Sequence, residues 1–115
     1  MNAESSPLLD QSLVDEIRQV ERATGKHGLF VGFVQKLEED LTTFARSIGA
    51  SDASAAAKAA HKLKGACRQL GVAALGDLFA QVEAAAKAGD QAEALRRFAG
   101  GAELVTRSLD ALKRA

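Results

Sequence analysis

The sequence predicts an all-α protein, an antiparallel four-helix bundle with an additional N-terminal helix. Apolar residues recur three and four positions apart along most of the chain, which is the period of an amphipathic helix. Alanine is abundant and Pro7 is the one proline, so little interrupts helical structure. Glycines and capping residues separate five such segments. With 115 residues, the chain is long enough for one domain around one core.

The first segment follows residues 1–8, which we expect to form a flexible lead-in to a domain spanning residues 9–115. Asp10 or Ser12 can cap a helix that runs to about Ala23. Its predicted inward residues are Leu9, Leu13, Ile17 and Val20. Because the four later segments suffice for a bundle, we expect this first helix to cover them as a lid.

The second segment has the most regular apolar pattern of the chain, and Gly49 ends it. Its predicted core residues are Phe30, Phe33, Val34, Leu37, Leu41, Phe44 and Ile48. Aromatic side chains at this spacing are typical of core packing. The segment therefore predicts a long helix with one buried side.

The third segment begins with capping residues at positions 51–54 and is expected to stop at Gly71. Its predicted buried stripe is Ala60, Leu63, Cys67 and Leu70. Because Cys67 lies on this stripe, we interpret it as a small core residue and not as a nucleophile. At about 100° per residue, His61 lies roughly 140° from the middle of the stripe and therefore faces solvent.

The fourth segment covers about residues 72–88 and ends at Gly89, and the last segment begins after Asp90. The predicted inward residues of the fourth are Leu75, Leu78, Val82 and Ala85. Those of the last are Leu95, Phe98, Ala102, Val105, Leu109 and Leu112. The pair Gly100-Gly101 inside the last helix can kink it or permit close packing.

The charge pattern limits the classes of partner. Basic and acidic residues balance at 15 each, so net charge gives no reason to expect nucleic acid or direct membrane contact. Neither His27 nor His61 lies at a metal-ligand spacing from the other or from Cys67, so we expect no metal site. No signal peptide or long apolar run is present, so we expect a cytoplasmic protein. We expect a monomer, because the apolar patterns leave little apolar surface exposed.

The outward side of the third helix is the candidate site. His61, Lys64, Gly65 and Arg68 share that side at helical spacing. A glycine in an exposed helix interior costs about 1 kcal/mol relative to alanine. Gly65 therefore either leaves room for another molecule or is a tolerated surface glycine. A neutral imidazole can accept a phosphoryl group, and nearby Lys and Arg side chains would stabilise the resulting anion.

The residues around His61 resemble a known signature. The run His61-Lys62-Leu63-Lys64-Gly65, then Leu70-Gly71 and an apolar helix reaching Glu83, is similar to that of histidine-containing phosphotransfer (HPt) domains. The resemblance covers about residues 9–113. It implies a phosphohistidine carrier, not an enzyme, that passes phosphoryl groups between receiver-domain aspartates. The domain would act in the phosphorelay of a hybrid sensor histidine kinase. The chain would be either a free protein or the cytoplasmic end of a membrane-anchored sensor kinase.

The resemblance also implies residue roles. His61 would be the phosphoacceptor through Nε2, Lys64 would pair with the phosphoryl oxygens, and Glu83 would hydrogen-bond the other ring nitrogen. The residues expected to bind the partner are Lys58, Lys62, Gly65 and Arg68. No cofactor is expected on this chain, and Mg²⁺ would belong to the partner receiver domain of a response regulator or hybrid kinase.

Alternatives remain open at this stage. Glu83 can instead be a surface carboxylate paired with Lys87, four residues further along the same helix. The bundle can be an interaction or scaffold domain that binds a protein through the same face without being phosphorylated. His61 can also be a direct substrate of a kinase ATP-binding domain, because glutamate at the position of Glu83 is common in chemotaxis kinases.

Overall fold

The computed structural model describes residues 8–50 and 52–115, and within these ranges all regular structure is α-helical. In chain order the helices are α1 (Gln11–Thr24), α2 (Leu29–Ser47), α3 (Ala53–Gln69), α4 (Ala73–Lys87), α5 (Gln91–Gly100) and α6 (Ala102–Arg114). Helices α2, α3, α4 and the α5–α6 pair form the four-helix bundle, and α1 is the additional N-terminal helix. The predicted fold class is confirmed. Residues 1–7 of the expected lead-in and the candidate cap Ser51 lie outside the described residues.

Aspartate caps begin three of the helices, as expected from the sequence. Each carboxylate accepts a hydrogen bond from a backbone N–H in the first turn of its helix. The three caps are Asp10 of α1, Asp52 of α3 and Asp90 of α5. Helix α2 begins differently, because Gly28 has no side chain to cap it. Instead, the buried Glu21 of α1 accepts a hydrogen bond of 2.6 Å from the backbone N–H of Phe30.

The centre of the core is formed by three phenylalanines from three helices. The ring of Phe44 in α2 meets those of Phe79 in α4 and Phe98 in α5 edge-on, at centroid distances of 5.5 and 4.9 Å. Phe79 is fully buried but was missing from the predicted inward set. Helix α4 contacts α3, α5 and α6, so it is buried over more of its circumference than one apolar stripe.

Four residues expected in the core are exposed. Val20, Phe33 and Leu95 are 48%, 43% and 41% exposed, and Ala102 is exposed as well. Phe33 and Leu95 lie at the margins of their apolar stripes. In α1 the fully buried apolar residue is Val14 instead, because the helix is turned relative to the predicted stripe.

The predicted last helix is divided in two at Gly101. A Cβ atom at this glycine would overlap the side chain of Leu78 in α4, so glycine permits the close approach of the two segments. The break therefore combines both expectations for this glycine pair, a change of direction and close packing.

Gly71 ends α3 as predicted and also anchors the start of α1. Its φ of +86° lies in the left-handed region. A Cβ atom there would lie 2.9 Å from the backbone oxygen of Asp10, whose own N–H donates to the carbonyl of Gly71 at 2.8 Å. Glycine is therefore required at this position on both conformational and steric grounds. None of the described helices is long and apolar enough to cross a membrane.

Candidate functional site

Helix α3 presents His61 to solvent. The predicted stripe is confirmed, because Ala60, Leu63 and Cys67 are buried against the rest of the bundle. The His61 side chain projects from the opposite side and is 67% exposed. Burial raises the pKa of the Cys67 thiol to about 12, so this thiol stays protonated in the core.

The buried Glu83 of α4 contacts the imidazole ring of His61 on its bundle-facing side. Its side chain is only 5% exposed, and its Oε2 atom lies 2.9 Å from His61 Nδ1. A carboxylate accepts hydrogen bonds, so Nδ1 carries the proton that is donated to Oε2. The neutral ring then has its lone pair on Nε2. The contact therefore fixes both the orientation and the tautomer of the ring.

Two lysines bind the same carboxylate. Lys64 Nζ donates to Oε1 of Glu83 at 2.7 Å, and Lys87 Nζ lies 2.9 Å from Oε2. The hydrogen bond from Lys64, followed by those from Lys87 and His61, lowers the pKa of Glu83 from 4.5 to about 2 against the opposing effect of burial. The carboxylate is therefore ionised at neutral pH, and it is not the surface group that was considered as an alternative.

The other candidate residues of α3 divide into two groups. Lys58, Lys62 and Arg68 are exposed, as expected, and Arg68 pairs with Asp77 of α4 at 3.5 Å. Lys64 is different, because its side chain is only 21% exposed and leans onto Glu83. Of the four basic residues of α3, Lys64 is therefore half-buried on Glu83, and the other three face solvent.

Gly65 is exposed one helical turn from His61. Apart from the adjoining backbone of its own helix, a Cβ atom built there would meet no atom within 4 Å. Packing among the described residues therefore does not require glycine at this position. What the missing side chain does provide is free space beside the imidazole ring.

Lys87 is the site residue that the sequence reasoning did not assign. It lines a shallow groove beside the imidazole, formed by Ala57, Lys58, His61, Glu83 and Lys87. Its four-residue spacing from Glu83 was the available signal. From the sequence, a Lys87–Glu83 pair is an alternative to the His61–Glu83 contact, whereas the structure contains both.

A second, mainly apolar groove runs along the other side of α3. It is lined by Ile17, Phe33, Lys36, Leu37, Asp40, Lys62, Ala66, Gln69 and Leu70. Lys62, next to His61 in the chain, lies at its edge, and the exposed Phe33 ring contributes apolar surface. Sequence reasoning missed this groove because it assigned Phe33 to the core. Within residues 8–50 and 52–115, no group of His, Cys, Asp and Glu side chains is arranged to hold a metal ion.

A solvent-exposed imidazole on a buried carboxylate, at the surface of a helical bundle, defines a class of small domains that carry a group on histidine. The chain matches the Hpt domain over residues 29–115 and belongs to that family. It is therefore a histidine-containing phosphotransfer domain of phosphorelay signalling, a family whose members interact with receiver domains. Neither the curated proteins nor the solved structures gave a significant match. The family match begins at Leu29, the first residue of α2, so α1 lies outside it.

Proposed function

We propose that His61 accepts a phosphoryl group from an aspartyl phosphate of one receiver domain and passes it to the aspartate of another. The observation that carries this proposal is the contact of 2.9 Å between His61 Nδ1 and the buried Glu83 carboxylate, on a ring that is 67% exposed. The contact leaves a lone pair on Nε2, facing the side from which a partner can approach.

The transfer step needs no additional base, because the attacking Nε2 atom carries no proton. The Nε2 lone pair of His61 attacks phosphorus, the N–P bond forms, and the bond from phosphorus to the aspartyl oxygen breaks. The aspartate leaves as a carboxylate, and the Nδ1 proton stays on the ring. The ring then carries a positive charge next to the phosphoryl group, and the ionised Glu83 stabilises that charge. The reverse sequence returns the phosphoryl group to a receiver.

The receiver is expected to cover the exposed side of α3. Its acidic, Mg²⁺-binding site would meet the exposed cations Lys58, Lys62 and Arg68, which favours a fast encounter. Mg²⁺ would be bound by the receiver, and phosphoryl transfer depends mainly on positioning and charge stabilisation. The groove that contains Phe33 would receive an apolar surface of the same partner. Gly65 would leave space for the loops around the aspartate.

The test is transfer of labelled phosphate from a phosphorylated receiver to this chain. Label on the wild-type chain is expected to be acid-labile and to be lost in the His61→Gln variant. His27→Gln is the matched control, because His27 is the other histidine and lies exposed between α1 and α2. Label that persists in His61→Gln would refute the proposal. Receiver binding without any labelling would favour an interaction domain instead.

A further inference from the structure

We propose that Asp40 determines which receivers this domain accepts, by pairing with a lysine or arginine on the receiver surface that covers the groove containing Phe33. This role rests on the proposed function, in which a receiver covers the exposed side of α3 and places an apolar surface in that groove. Apolar contact alone would accept many receivers. A carboxylate within the contact adds a charge requirement, so that receivers differ in affinity according to the residue that they place there.

The first support is the place of Asp40 in the groove. Asp40 follows Phe33 and Leu37 along the same side of α2, and of the described residues that line the groove it is the acidic one. Its side chain is 24% exposed, so the carboxylate is half-buried before any partner arrives. The groove also includes Lys62, the residue that follows His61. An interface of standard size covers about 800 Å² on each partner, which is enough to include both the imidazole and this groove.

The second support is the weak ion pair that the carboxylate makes within the chain. Among the described residues, Asp40 pairs with Lys36, one turn earlier on α2, at 3.3 Å. A lysine four residues before an acidic residue is the less favourable order for such a pair on a helix. The Lys36 side chain is also 64% exposed, so it can turn away from the groove at little packing cost. Asp40 is therefore available to a cation from a partner.

The third support is the cost of covering this carboxylate. A receiver that fills the groove excludes water from it, and a carboxylate that loses its hydration is destabilised unless a cation replaces the water. A receiver with a lysine or arginine at this point supplies that cation. A receiver with an apolar residue leaves the charge uncompensated, and one with an acidic residue is repelled. Asp40 therefore favours the first class of receiver and disfavours the other two.

The main experiment measures the affinities and dissociation rates of receiver domains that bind the wild-type chain. We expect Asp40→Asn to weaken binding about tenfold, mainly through faster dissociation, because it removes one partner of a charge pair that the interface covers. Long-range electrostatics alone predicts the opposite sign, because the phosphorylation site of the receiver is acidic and the variant has one negative charge fewer. An affinity that is unchanged or higher in Asp40→Asn therefore overturns the proposal.

Glu39→Gln is the matched control for this measurement. It removes the adjacent negative charge from an exposed position of α2 that does not line the groove. The control should bind receivers at least as tightly as the wild type. If Glu39→Gln and Asp40→Asn weakened binding equally, the effect would belong to the net charge of α2, and the proposal would be overturned.

Lys36→Gln separates a contact with the receiver from a contact within the chain. If the receiver supplies the cation, Lys36 competes with it for Asp40, and Lys36→Gln should not speed dissociation. If Lys36 itself compensates Asp40 in the complex, Lys36→Gln speeds dissociation as much as Asp40→Asn does, and the proposal is overturned. Thermal unfolding of each variant shows that the compared chains are folded.

An exchange of charges identifies the receiver residue. Each exposed lysine and arginine of the receiver is replaced in turn with glutamate, and one of these variants should bind the wild-type chain weakly but regain about tenfold in affinity with Asp40→Lys. If Asp40→Lys rescues none of them, the pairing is contradicted. A dimer of the free chain that Asp40→Asn disrupts would assign the groove to a second copy of this chain and overturn the proposal. A wild-type chain that binds receivers but takes up no label on His61 contradicts the proposed function instead, while the dependence of binding on Asp40 is still measured.

Discussion

Replacing Glu83 with glutamine removes a buried negative charge that three positively polarised partners surround. The contacts lower the pKa of Glu83 from 4.5 to about 2, with the hydrogen bond from Lys64 as the largest cause. A shift of this size corresponds to about 3 kcal/mol, at roughly 1.4 kcal/mol per pKa unit. The side chains of His61 and Lys87 are each 67% exposed and therefore screened by water. We expect about half of the full value, ~1–2 kcal/mol of folding free energy.

The sign of the pH dependence follows from the direction of this shift. In the folded chain Glu83 stays ionised down to about pH 2, whereas in the unfolded chain it is protonated around pH 4.5. Between these values the unfolded state binds more protons. The stabilisation by Glu83 is therefore fully present above about pH 5 and is lost as the pH falls towards about 2.

Urea unfolding of the wild type and of Glu83→Gln at neutral and acidic pH measures this contribution. We expect the variant to be ~1–2 kcal/mol less stable at neutral pH, and the difference to shrink as the wild-type carboxylate is protonated. Glu39→Gln is the control, because it makes the same chemical change at an exposed position of α2. If the wild type and Glu83→Gln lost equal stability between neutral and acidic pH, the reasoning on this carboxylate would be refuted.

Three further substitutions test the surface and the packing. Gly65→Gln should raise the stability by about 0.5–1 kcal/mol, yet slow transfer from a receiver about tenfold or more, as measured by rapid-quench labelling. Phe33→Ser should weaken receiver binding about tenfold in a calorimetric titration with little change in stability, whereas Leu95→Ser, at an equally exposed position of α5, should not weaken it. Gly101→Ala should cost about 1–3 kcal/mol in urea unfolding because its Cβ overlaps a side chain of α4, while Gly100→Ala, with open space around it, should not destabilise.

Each of these expectations has an outcome that contradicts it. Unchanged transfer in Gly65→Gln would remove the steric explanation of that glycine. Equal receiver affinities for Phe33→Ser and Leu95→Ser would exclude the apolar groove from the interface. Equal stabilities of Gly100→Ala and Gly101→Ala would show that α6 shifts to accept the added methyl group.

The sequence was sufficient for those features that depend on local chemistry. The aspartate caps follow from side chains that bond to nearby N–H groups, and the buried stripe of α3 follows from helical spacing. The contact between His61 and Glu83, 22 residues apart, was expected from the family signature, and the structure contains it. That Lys64 also binds Glu83 was not expected, because spacing places Lys64 on the outward side of α3 without showing where its flexible chain leans.

Other features depend on how the helices are assembled and could not be obtained from a single helix. Phe33 and Phe79 lie at comparable places in the apolar patterns of their helices, yet the first is exposed and the second is fully buried. The difference is that α4 has three neighbouring helices while the Phe33 side of α2 borders an open groove. Likewise, a lysine four residues after a glutamate can form an exposed ion pair with it or bind it as a buried carboxylate that other residues share. Which of the two occurs depends on how the neighbouring helices pack.

The short connection between α3 and α4 has a consequence for how the site forms. Residues 70–72 alone join the two helices, so His61 and Glu83 belong to one helical hairpin and not to distant parts of the chain. Contacts of such low sequence separation carry a small loop-closure cost. The backbone amides of α3 and α4 should therefore stay protected from hydrogen exchange during excursions in which α1 detaches, so that the two helices that carry His61 and Glu83 remain paired.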